Sequence, residues 1–122
     1  MNVSAYQSKV YGAQPCWELV SDILINETGT IPLVFRTINR SIREMASEFR
    51  IALSKGTHGF VQIATPVDYA IVLLGKTERV GVHHCGIYYG GKVLHALSSG
   101  TVYEDMSSIQ DAFEIVEFWA KP

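Results

Sequence analysis

"HHCGIYYGGKVLHA", residues 83–96, decides how this chain is read, because it fixes a pair of strands and gathers three of the four histidines onto them. Gly90-Gly91 stands between two apolar runs. A two-residue hairpin turn needs positive φ at both central positions, which glycine adopts without a Cβ penalty. With the turn placed there, the register follows. Tyr89 faces Lys92, Ile87 faces Leu94, Gly86 faces His95 and His84 faces Leu97. Side chains alternate between the two faces of a strand. His84, Gly86 and His95 therefore share one face. The two histidines become diagonal neighbours, about 7–8 Å apart at Cα and closer at their rings. The opposite face takes His83, Cys85, Ile87, Leu94 and Ala96. It is mostly apolar, as a core surface should be, with Cys85 as a small buried hydrophobe. His83 lies near the strand start, toward solvent, without a catalytic role.

Working outward, short β-rich runs separated by turn residues continue on both sides of the hairpin. They are "GFVQIA" (59–64), "YAIVLL" (69–74), "VGVHHCGIYY" (80–89), "KVLHAL" (92–97) and "TVYE" (101–104). "AFEIVEFW" (112–119) reads as the last strand, and Ser107 followed by Gln110 as the capping pair of a short helical turn before it. Toward the N-terminus the period changes from two to three or four. In residues 15–27, "PCWELVSDILINE", apolar side chains at Trp17, Val20 and Leu24, flanked by Leu19 and Ile23, form a helical stripe. Pro15 suits the first turn and Gly29 the stop. Residues 37–54 read as a second helix on Ile38, Ile42, Met45, Phe49 and Leu53, ended by Gly56. Its outer face, with Arg40, Arg43, Glu44, Glu48 and Arg50, is a solvated polar face. His58 falls in the following loop. Helices followed by a run of neighbouring strands argue for an α+β fold, N-terminal helices packed on an antiparallel β-sheet.

A chain of 122 residues fits one domain, 1–122, and 48% hydrophobic with 18% charged residues describes a soluble globular protein. The net charge of −2, with no basic stripe, argues against a nucleic-acid partner. The start "MNVSAYQSKV" lacks the apolar core of a signal peptide, and no apolar run approaches the ~20 residues of a membrane helix. The expectation is synthesis in a cytoplasm and no membrane insertion. Two cysteines, Cys16 and Cys85, are too few for a disulfide scaffold, so both read as thiols.

Cys16 falls in the first turn of the first helix. A helix N-terminus carries unpaired N–H groups and about half a positive charge. Both favour thiolate over thiol, and the same N–H groups stabilise an oxyanion formed by attack on a carbonyl. A nearby imidazole completes a nucleophilic site by taking the thiol proton and later giving one to the leaving amine. A third polar group fixes that imidazole's tautomer. His84 as base and His95 as orienter fit these roles, with Gly86 between them leaving room for the helix to approach.

Taken together, these segments resemble the NlpC-type papain-like cysteine peptidases, which cut bacterial cell-wall peptides. "PCWELV" resembles the nucleophile segment of that family, especially the Cys-Trp version of phage tail-associated members. "HCGIY" resembles its His-x-Gly-Ile-Tyr strand, which gives His84 rather than His83 the base position. "VLHA" resembles the strand of the third catalytic residue, here His95, and "PVDYAIVLL" the Pro-x-Gly-Asp segment. The order Cys, His, His agrees, and the resemblance spans most of residues 11–119. Pro15 precedes Cys16 where the family often has Asp, Glu18 stands in place of a Gly, Val67 in place of the Gly before Asp68, and Cys85 in place of a common Val. The resemblance implies a papain-like NlpC-type fold and hydrolysis of amide bonds in peptidoglycan stem peptides, without metal or cofactor. It also offers Tyr11, in "VYGAQPC", as a tyrosine near the oxyanion, against a packing or loop-anchoring role. It further implies a phage tail-tip hydrolase made in the host cytoplasm and assembled into the virion tail, with peptidoglycan peptides as substrate and other tail-tip proteins as partners.

Three other readings use the same residues. A structural tail-tip or hub subunit on this fold would carry little activity, and Pro15 and Glu18, which alter the nucleophile loop, favour it. A metal site would take Cys16, His84 and His95, which are zinc-type ligands but lack a close-spaced pair. An acyltransferase would use the same three residues with an amine in place of water.

Overall fold

The computed structural model describes residues 1–12, 15–30 and 59–121. The helix expected over 37–54, its Gly56 stop and the loop residue His58 lie outside the described residues. The described elements run α1 (Val3–Gln7), α2 (Pro15–Ile23), a π-helical turn (Leu24–Thr28), β1 (Val61–Ile63), β2 (Ile71–Gly75), β3 (His84–Tyr89), β4 (Lys92–Leu97), β5 (Gly100–Asp105), α3 (Met106–Ala112) and β6 (Ile115–Ala120). The strands form one six-stranded antiparallel sheet in the order β1-β6-β2-β3-β4-β5. The fold is α+β, with an N-terminal helix packed on that sheet.

The central hairpin has the register expected from Gly90-Gly91: Tyr89 pairs with Lys92 and Ile87 with Leu94. Both glycines take positive φ, 60° and 85°. Asp68 adds a cap, its Oδ1 accepting the Gly90 N–H at 3.0 Å. β2 is buried at all five positions and therefore has a core on each side. Ile71 and Leu73 belong to one cluster with Cys85, Ile87, Leu94 and Ala96, covered by Cys16, Trp17, Leu19, Val20 and Ile23 of α2. Val72 and Leu74 belong to the other cluster, with Val93 and Ile109 of α3. Leu19, Val20 and Ile23 are fully buried, each contributing roughly 1.5–3 kcal/mol of transfer free energy. That apolar stripe is what holds α2 against β3 and β4.

Several boundaries differ from the sequence reading, each for a local reason. The first helix leaves α geometry at Leu24. Thr28 Oγ1 takes the Leu24 carbonyl at 2.7 Å, and Gly29, at φ 68°, closes the turn onto the same carbonyl. Side-chain hydroxyls competing for backbone carbonyls loosen a helix end in this way. The run 80–89 becomes a strand only at His84, because Gly81, at φ 80°, closes a turn with its N–H on the Thr77 carbonyl at 3.0 Å. Ser107 and Gln110 do not form the helix cap. α3 starts two residues earlier, and Asp105 is the N-cap, its Oδ1 accepting from Ser108 N–H (2.9 Å) and from Ser107 Oγ–H (2.7 Å). α1 has no apolar period to announce it and rests on the Asn2 cap.

Candidate active site

Cys16 occupies the first turn of α2, one residue after Pro15, and is 4% exposed. Its thiol is acidic, with a pKa lowered to about 5. The first cause is a hydrogen bond from the Cys85 side chain, followed on the favourable side by a hydrogen bond and charge interaction with His84 and by the Cys85 backbone; burial opposes them. β3 docking against the helix start therefore supplies the first of these causes. Cys85 is fully buried, as expected of a small core residue, yet its thiol also serves the neighbouring sulfur. Burial first, then the Cys16 contact and charge, push the Cys85 thiol well above its ordinary range. The two thiols thus divide into one thiolate and one donor.

Strand alternation sends Cys85 toward α2 and His84 toward the face of His95 and α3. Leu74, paired with His84, lies in the α3 cluster. The His84 ring stacks on Phe113, with centroids 6.0 Å apart and planes 15° apart. His84 opens β3, and from the end of the strand its ring is close enough to Cys16 to help lower that thiol's pKa. Its Nε2 lies 2.9 Å from His95 Nδ1, and the two rings meet edge to face at 5.1 Å. His95 is 1% exposed, and burial is the main cause pulling its pKa below the ordinary value.

The side chain behind His95 is Glu104, absent from the sequence reading. His95 Nε2 is 2.8 Å from Glu104 Oε1. Glu104 pairs with Val93 and Val102 with His95, which makes Glu104 the diagonal neighbour of His95 on the shared face. The signal was present in "LSSGT". A two-residue turn at Ser98-Ser99 pairs Leu97 with Gly100, and the hairpin logic used on Gly90-Gly91 then brings residues 95 and 104 together.

Cys16, His84, His95 and Glu104 thus form a line, each touching the next. A neutral imidazole has one N–H donor and one acceptor nitrogen, and an ionised carboxylate only accepts. With His95 held neutral by burial, its Nε2–H donates to Glu104 and its Nδ1 accepts from His84 Nε2–H. The nitrogen of His84 left to face Cys16 is then Nδ1. Among the described residues no three His, Cys, Asp or Glu side chains are grouped so as to hold a metal ion.

Gly86 has a role other than the one expected. A Cβ there would lie 2.7 Å from the Leu94 carbonyl oxygen, 2.9 Å from His95 Cβ and 3.0 Å from Val93 Cγ1. It lets β4 come close with His95, on the face away from α2. His83 also differs from expectation. It precedes the strand, and its ring lies near Phe113 (6.2 Å), on the side of His84, with its Nε2 accepting the Lys76 N–H at 3.1 Å. Tyr11 donates its hydroxyl to Asp22 Oδ2 at 2.8 Å, six residues along α2 from Cys16. Burial first and then Asp22 raise its phenol pKa. Tyr11 also borders an open cleft of about 470 Å³ with Lys9, Pro15, Ala96 and Ser98. The cleft touches the chain neighbours of Cys16 and His95 rather than those residues themselves. Glu18 carries its carboxylate against Gly12.

In comparisons with known proteins, no family model, no curated protein and no solved structure matches this chain. No helix among the described residues is long and apolar enough to cross a membrane.

Proposed function

We propose that this chain is a cysteine peptidase that hydrolyses amide bonds in peptidoglycan stem peptides, on a papain-like NlpC-type fold. The observation that carries the reading is the His84–His95 pair, Nε2 to Nδ1 at 2.9 Å, beside a Cys16 thiol that His84 helps to acidify. In this account the Cys16 proton already resides on His84 Nδ1, and the thiolate sulfur attacks the scissile carbonyl carbon. The carbonyl π electrons move to oxygen, where the unpaired N–H groups of the first turn of α2 meet the negative charge. Collapse of the tetrahedral adduct breaks the C–N bond, and the imidazolium gives its proton to the leaving amine. Water, deprotonated by the same nitrogen, then attacks the thioester and releases a carboxylic acid and free thiol. His95 accepts the His84 Nε2–H throughout and so keeps Nδ1 aimed at sulfur. Glu104 acts one step further back, fixing the tautomer of His95.

The cleft flanked by Pro15 and Ala96 is the approach for the peptide, with Tyr11 in its wall. The substrate class and the placement in a phage tail tip, among other tail-tip proteins, rest on the likeness of "PCWELV", "HCGIY" and "VLHA" to that family. The reading is tested by digesting purified peptidoglycan and weighing the released fragments. Fragments ending in new stem-peptide carboxylates and amines are expected, and an intact sacculus under all conditions would remove the proposal.

One observation favours a second reading, a structural tail-tip or hub subunit with little activity: Cys16 is only 4% exposed. Under that reading particles carrying Cys16→Ala assemble and infect as the parent does.

A further inference from the structure

The peptidase mechanism needs one sulfur at this site, but the fold brings two together. β3 pairs Cys85 with Leu73, and the alternation aims its side chain at α2, into the same core cluster as Cys16. The two thiols lie in that one cluster, each among the causes of the other's pKa shift, both are reduced, and Cys85 has no exposed surface. A cysteine packed against a core needs no second sulfur, since a valine or alanine fills such a place equally well.

We propose that Cys16 and Cys85 form a peroxide-reactive dithiol site, in which Cys16 is oxidised by a small hydroperoxide and Cys85 resolves it as an intramolecular disulfide. In the first step the Cys16 sulfur attacks one oxygen of hydrogen peroxide. An S–O bond forms, the O–O bond breaks, and the sulfur gives up two electrons to become a sulfenic acid as hydroxide leaves. In the second step the Cys85 sulfur attacks the Cys16 sulfur. The S–S bond forms, the S–O bond breaks, and the departing hydroxide takes the Cys85 proton as water. The sum is two thiols and one peroxide giving one disulfide and two waters.

The electrostatics of the pair suit this order. Cys16 is the thiolate and Cys85 the protonated donor, so oxidation begins at Cys16. The charge of Cys16 is one of the causes holding the Cys85 proton in place. A sulfenic acid is neutral, so the first step removes that cause and makes Cys85 easier to ionise. The disulfide ties up the nucleophile reversibly, whereas a sulfenic acid without a neighbouring thiol proceeds to sulfinic acid, which thiols do not restore.

This proposal does not rest on the peptidase reading, because its readout is covalent mass and not cleavage. The full chain is treated with a small molar excess of hydrogen peroxide, quenched with an alkylating agent and digested with trypsin without reductant. Cys16 falls in the fragment spanning residues 10–36 and Cys85 in the fragment spanning 80–92. The expected product is these two fragments joined, about 2 Da lighter than their sum and separated again by dithiothreitol. In Cys85→Ala the linked species is lost and the 10–36 fragment gains two oxygens, about 32 Da. Cys16→Ser provides a second check, with Cys85 remaining an unmodified thiol under the same treatment. Sulfinic acid on wild-type Cys16 without the linked pair would overturn the proposal. So would a disulfide only between two copies of the chain, or both thiols surviving doses that oxidise a free cysteine.

Discussion

Replacing Cys85 with alanine removes the first cause of the Cys16 acidity while leaving His84 in place, and so measures what the second thiol does for the first. A hydrogen bond to a charged group is worth roughly 1.5–3 kcal/mol. At ~1.36 kcal/mol per pH unit, the Cys16 ionisation should rise by about one to two units from its position near pH 5. A single rate at neutral pH does not reveal this. At pH 7 a thiol titrating near 5 is about 99% thiolate, against about 1% for one at 9.0, a gain of roughly 100-fold. The more acidic thiolate is intrinsically less nucleophilic, by roughly 40–100-fold over those four units. The two effects nearly cancel. The shape of the profile decides instead. With iodoacetamide, wild-type Cys16 should react at a rate that is flat above about pH 6.5 and falls through pH 5. An ordinary thiol would climb about tenfold per unit toward pH 9. In Cys85→Ala the fall should begin one to two units higher. Thiolate absorbance near 240 nm follows the same ionisation without a reagent. A wild-type profile still rising above pH 8, or a variant profile superimposed on wild type, would refute the reasoning.

Two further outcomes follow from the line of side chains. Glu104→Gln keeps an oxygen that can accept from His95 but removes the charge, and its amide can instead donate and reverse the His95 tautomer. The expected loss in kcat/KM for stem-peptide cleavage is roughly 10–100-fold. Rescue in Glu104→Asp and an altered pH profile in Glu104→Gln would separate orientation of His95 from simple loss of fold. Gly86→Ala forces a Cβ to within 2.7 Å of the Leu94 backbone oxygen, a clash that no flexible side chain can relieve. It should cost about 1–3 kcal/mol, read as a lower midpoint in urea with an unchanged slope.

How much of this was legible in sequence depends on the range of the interaction. The Gly90-Gly91 turn is local chemistry, so it fixed the hairpin register and with it the meeting of His84 and His95. The stripe Leu19, Val20 and Ile23 likewise placed α2 as a core helix. What the pattern did not show was which core face the helix would choose. Alternation put Cys85 opposite His84, but only packing tells that α2 covers the Cys85 side and that His84 reaches sulfur from the end of its strand. The sequence offers the helix terminus and an imidazole beside Cys16 but not the neighbouring thiol, which is the first cause of its acidity. Gly86 likewise suggests room for the helix in sequence, whereas in the fold it makes room for β4. Glu104 was within reach of the same turn logic at Ser98-Ser99, where serine pairs are a weaker turn signal than glycine pairs.

The account stands or falls on sulfur 16 as the nucleophile. The direct measurement is the rate of fragment release from purified peptidoglycan by wild type and Cys16→Ala, with circular dichroism confirming that both are folded. The account predicts a loss of at least about a thousandfold in the variant. A folded Cys16→Ala protein that releases the same fragments at the wild-type rate would contradict it.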